Sequence, residues 1–145
     1  MKVYKSKRIY LTLDKKKYCV VRVYPTKIEM QEGYKKFKSG DKGHYKVLGS
    51  HCGYEKFIVE KGKPMKLSPE TGTVFLSRQH LGVGVVSHEL MHAVIWAKTH
   101  KKGWKDQYPF VIKDMNAEEK LLHNLSYAVR QFYDWFWKKL DKPNA

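Results

Sequence analysis

The sequence predicts an α+β domain in which a small, mainly antiparallel sheet from the N-terminal half packs against a buried helix and a long C-terminal helix. Three observations carry this. Short runs of strand-like alternation, separated by polar or Gly/Pro turns, fill much of the chain up to Arg78. An apolar run from Val85 to Lys98 is too long for a strand. Finally, apolar residues recur at helical spacing from Asn116 to Leu140.

In chain order, Lys7 to Asp14 alternates Ile9, Leu11 and Leu13 with Tyr10 and Thr12, as a half-buried strand does. Tyr18 to Tyr24 reads as its hairpin partner across the polar turn Asp14-Lys15-Lys16-Lys17. Pro25-Thr26 opens a helix whose stripe is Ile28, Met30, Tyr34 and Phe37, closed by Ser39-Gly40-Asp41-Lys42-Gly43. Strands follow at Tyr54 to Glu60 and Gly72 to Arg78, with Gly62, Pro64 and Pro69 between them. After Gly82 and Gly84 the period changes to that of a largely buried helix. In the last element Asn116 is the expected N-cap, Glu118 and Glu119 suit the first-turn dipole, and Leu122, Leu125, Val129, Phe132, Phe136 and Leu140 form the stripe.

The 145 residues make one domain, 1–145, with neither a repeat nor a linker to divide them. At 42% hydrophobic and 14% aromatic, the chain has more apolar material than a disordered tail. No apolar run reaches the roughly 18 residues of a membrane span, and the start lacks a leader's apolar core. The expectation is a cytoplasmic protein without a membrane partner. Two cysteines, Cys19 and Cys52, suit free thiols better than a disulfide framework. The net charge of +15 admits a nucleic-acid partner, but only four cations are Arg and no nucleic-acid motif is present. Most of the lysines read as a solvated face.

Chemistry concentrates in His88-Glu89-Leu90-Met91-His92, an HExxH pattern inside the buried helix. Residues four apart on a helix lie one above the other, so both imidazoles can reach one tetrahedral zinc. Glu89 then stands beside the open coordination position as a general base. Shuffled chains of this composition give the pattern by chance about 2% of the time. Three ionisable groups inside an apolar run are costly to bury without a shared partner, which favours the metal reading.

A catalytic zinc needs a third protein ligand. Glu118 and Glu119 are the best source: helix geometry puts Glu118 on the apolar stripe, while Glu119 has His123 one turn below to support it. His100 is a rival, but on a continuous helix it points about 120° away from His88. His44, His51 and Cys52 read as ordinary surface or packing residues in a loop.

The stretch from His88 to Val94, with Glu118-Glu119-Lys120-Leu121-Leu122-His123 and the helix to Tyr133, resembles the small gluzincin-type metallopeptidases often encoded by bacteriophages and prophages. The resemblance is specific over roughly residues 80–135 and covers the first 70 only in loose strand-and-helix order. It implies a minimal zincin-like fold, a Zn2+ cofactor, a peptide or protein substrate and, for a phage protein, the host cytoplasm. In gluzincins the third ligand is a Glu on a later helix, with a small residue three positions on and a polar one four on. Carried onto this chain, that offset selects Glu119 and His123, and Leu122 departs from it. A fainter similarity, to SprT-like proteases associated with DNA, rests on His100 in Thr99 to Lys105, which lacks the Gly that should precede the His.

The expected activity is therefore zinc-dependent peptide-bond hydrolysis, with His88, His92 and Glu119 on the metal, His123 behind Glu119, and Glu89 as base. The strand Gly72 to Arg78 is the expected edge for β-augmentation by substrate. The alternative is a basic DNA-associated or partner-binding protein with a structural or degenerate zinc site.

Overall fold

The computed structural model describes residues 4–37, 47–99 and 115–140. Strands β1 (Lys5–Tyr10) and β2 (Tyr18–Tyr24) form the expected antiparallel hairpin, with Tyr10 opposite Tyr18, but β1 ends four residues short of the expected Asp14, so Leu11 to Asp14 belong to the connection and Leu13 is exposed. Helix α1 (Lys27–Phe37) follows, its first turn capped where the Glu29 N–H donates to Thr26 Oγ1 at 3.2 Å. Strand β3 (Gly49–Gly53), the short pair β4 (Phe57–Ile58) and β5 (Lys66–Leu67), and β6 (Glu70–Ser77) complete the β elements. Helices α2 (Val83–Thr99) and α3 (Met115–Leu140) end the described chain.

The main sheet has the order β1-β2-β6-β3 and is mixed: two of its three pairings are antiparallel, in line with the mainly antiparallel expectation, and the central one is parallel. β6 runs parallel to β2 and antiparallel to β3. It is thus an interior strand, buried along nearly its whole length, and not the open edge expected of Gly72 to Arg78. The edge nearest α2 is β3. The expected strand at Tyr54 to Glu60 shrinks to Phe57–Ile58, paired only with Lys66–Leu67.

One face of the sheet carries Ile9, Cys19, Val21, Val23, Val74 and Leu76 against α2 and α3, and this is the larger core. The other face seats α1 through Met30 and Tyr34 on Tyr24 and Phe75. Tyr34 meets Phe75 edge-on at 5.3 Å between ring centroids. Neither Cys19, in the larger core, nor Cys52, beside the smaller, forms a disulfide. Among the described residues no helix is long and apolar enough to cross a membrane.

Two expectations for α3 shift. The helix already includes Met115, so Asn116 lies inside its first turn and is not the N-cap. Its buried line is Leu121, Ala128 and Phe132, flanked by Leu125 and Val129, whereas Leu122 is 43% exposed. Phe132 is fully buried and Leu125, Val129 and Phe136 pack on the core as expected, so the departure is confined to the start of the stripe, where Leu121 takes the place of Leu122.

Candidate metal centre

Helix α2 turns Val86, Leu90, Ala93, Val94 and Ala97 into the core. This spacing brings the i, i+4 pair His88 and His92 to the stripe's margin, with His88 exposed and His92 half-buried. Their Nε2 atoms stand 3.2 Å apart, and the rings cross at 79°. Glu89 falls on the buried side, 7% exposed. Burial pushes the Glu89 carboxyl above its ordinary range, partly offset by His88, and burial holds the His92 imidazole below its own, aided by His88.

Strand β3 faces this surface with small residues. A Cβ on Gly49 would stand 3.0 Å from Glu89 Cγ, and one on Gly53 would run into the Trp96 ring. Between these glycines His51 lies near-parallel to His92, with ring planes 5° apart and centroids 6.4 Å apart. The far edge of its ring rests on the backbone, since a Cβ on Gly72 would come within 2.9 Å of Nε2. The expectation of an ordinary loop residue missed this neighbour of the pair. The alternation Gly49-x-His51-x-Gly53 was its one sequence signal: side chains two apart share a strand face, and glycines on that face admit a helix.

Glu119 and His123 meet as expected, with Oε2 and Nε2 3.4 Å apart, in the exposed first turns of α3. Glu118 is exposed, because this turn lies beyond the core that buries the stripe further along. Among the described residues, no three or more His, Cys, Asp or Glu side chains gather at metal-binding range. The pair His88/His92 and the pair Glu119/His123 are each assembled, then, but not into one set. His44 and His100 lie outside the described residues.

No family model, curated protein or solved structure matches the chain. The donor set itself is therefore the test of a metal. Two imidazole nitrogens bound at about 2.0–2.1 Å to one tetrahedral zinc stand about 3.3–3.4 Å apart. The 3.2 Å observed is near that separation and is equally a hydrogen-bond distance between the two rings.

Proposed function

We propose that the chain is a zinc-dependent metallopeptidase with a minimal zincin-like architecture. His88 and His92 would hold the metal, Glu119, which the structure leaves outside that pair, would be brought in as the third protein ligand with His123 behind it, and Glu89 would be the general base. The observation that carries this reading is the convergence of the two Nε2 atoms to 3.2 Å beside Glu89, close to the spacing of two imidazoles on a shared tetrahedral ion. The exposure of His88 supports an open, catalytic site over a closed structural one.

Zinc bound there supplies Lewis acidity to a carbonyl and lowers the pKa of water toward about 7. Glu89 takes the proton as water adds to the scissile carbonyl carbon, and returns it to the amine as the C–N bond breaks. Substrate would lie as an added strand on the edge of β3, across from α2, in place of the edge first expected at β6.

The test is metal analysis of protein purified without added zinc, together with Glu89→Gln. One zinc per chain in both proteins, with hydrolysis of a peptide pool only by the parent, is the expected result. Metal-free protein whose melting is unchanged by zinc overturns the reading. Steeply salt-dependent DNA binding without hydrolysis would favour the basic-binder alternative.

A further inference from the structure

Helix α1 and the β1/β2 hairpin frame a pocket of about 350 Å3 on the face of the sheet opposite the His88/His92 pair. Two periodicities build its walls. Glu29, Glu32, Gly33, Lys36 and Phe37 recur at three- and four-residue spacing and so share one face of α1. Arg22 and Tyr24, two apart on β2, share the sheet face beneath it. Gly33 sets the depth, since a Cβ there would collide with the Tyr24 hydroxyl, and its absence lets the helix settle on that ring. Tyr4 closes the far side, its ring 5.0 Å from that of Tyr24.

Two groups in this pocket are left for an occupant to satisfy. Glu29 Oε2 is buried and meets no hydrogen-bond donor among the described residues, which is costly unless something in the pocket supplies one. Arg22 is held among three rings, its Cζ 4.6 Å from the centroid of Tyr4, 5.2 Å from that of Phe37 and 5.6 Å from that of Phe75. A guanidinium fixed in this way is pre-organised. After its hydrogen bond to the Tyr24 hydroxyl it keeps N–H groups for a carboxylate.

We propose that the pocket binds a free α-amino acid with an apolar side chain. Its ammonium meets Glu29 and Glu32, its carboxylate meets Arg22 and Lys36, and its side chain lies against Tyr4 and Phe37. The mixture of charges decides among the occupants. A simple cation would satisfy the two glutamates against repulsion from Arg22 and Lys36, and phosphate or another simple anion would meet the reverse conflict. A zwitterion satisfies both pairs. The volume lies near the lower end of the range for small-molecule sites, about 300–1,000 Å3, which suits an amino acid and excludes a macromolecular segment of any length. This site is independent of the metallopeptidase reading.

The experiment titrates the full chain with L-phenylalanine and L-leucine by calorimetry. Phenethylamine, which lacks the carboxylate, and hydrocinnamate, which lacks the ammonium, serve as controls. L-phenylalanine should bind roughly tenfold to a hundredfold more tightly than either control, because each control forfeits one set of charge-assisted hydrogen bonds. Glu29→Gln should weaken L-phenylalanine by a similar factor and leave hydrocinnamate unchanged. Arg22→Lys, which keeps the charge but loses the fork, should weaken both amino acids and hydrocinnamate and leave phenethylamine unchanged. Melting of each variant confirms that the fold persists. His88→Ala should bind the amino acids as the parent does, which separates this pocket from the metal centre. Binding of neither amino acid, equal or tighter binding of a singly charged control, parent affinity in both Glu29→Gln and Arg22→Lys, or loss of binding in His88→Ala each overturns the proposal.

Discussion

The side-chain amide of Gln131 pairs with both backbone polar groups of Tyr10. Tyr10 N–H donates to Gln131 Oε1, and Gln131 Nε2 donates to the Tyr10 carbonyl, each at 2.8 Å. Tyr10 sits on β1, the outer strand of the sheet. A single residue of α3 thus supplies, at the end of β1, the donor and acceptor that a further strand would offer there.

Gln131→Ala should therefore cost about 1–3 kcal/mol, since it strips partners from a part-buried backbone donor and acceptor. Gln131→Glu keeps an acceptor for Tyr10 N–H but loses the donor, so its cost also comes from an acceptor left unsatisfied beside a new charge. Urea unfolding of the three proteins checks this. Unchanged midpoints would mean that the amide bridge adds nothing to stability.

The third zinc ligand is tested by the affinities of Glu118→Gln, Glu119→Gln and His123→Ala, measured side by side. Glu119→Gln should lose the most, and His123→Ala on the order of 10–100-fold as an outer-shell partner. Glu118→Gln should lose little, as an exposed first-turn carboxylate is worth only about 0.3–1 kcal/mol to its helix. Zinc loss confined to Glu118→Gln would reverse the ligand assignment.

Gly49→Ala should lower turnover while retaining the metal. The new methyl would sit 3.0 Å from Glu89 Cγ and 3.2 Å from both Leu76 and Val85, and Glu89 is the flexible neighbour able to give way. A stability loss of about 1–3 kcal/mol is expected from the overpacking. Full activity on a cleaved peptide would show that Glu89 needs no support from β3.

Cys19 is wholly buried, and desolvation pushes its thiol from 9.0 up to about 12. The neutral form is the one the fold favours. Its contribution to stability is intact below about pH 9 and is lost as pH rises toward about 12. Iodoacetamide at neutral pH should label Cys19 only after denaturation, and Cys19→Val should flatten the alkaline fall in urea stability. Labelling of the native thiol would contradict its burial.

The legible features of this chain are the local ones. The His88/His92 pair follows from i, i+4 geometry within one helix, and so does the contact of Glu119 with His123. β3 was not legible: Gly49-Ser50-His51-Cys52-Gly53 contains no β-branched residue, and it becomes a strand only because β6 offers a ladder and the glycines let α2 approach. The start of the α3 stripe was misread for a related reason. Leu121 and Leu122 are equally apolar, and packing against β1 and α2, not the pattern itself, selects Leu121. The parallel pairing of β2 with β6 depends on a partner far along the chain, which no local alternation names.

That pairing also sets an order of events during synthesis. Tyr18 must wait for Glu70, roughly fifty positions later, before the Val-rich β2 gains its second neighbour. Until β6 emerges, β1, β2 and α1 form a hairpin and a helix with an open strand edge and no completed core, the kind of intermediate that seeks pairing with other chains. A nascent chain halted short of β6 would thus be prone to aggregate, and release of the central strand is the step that commits the domain to its own sheet.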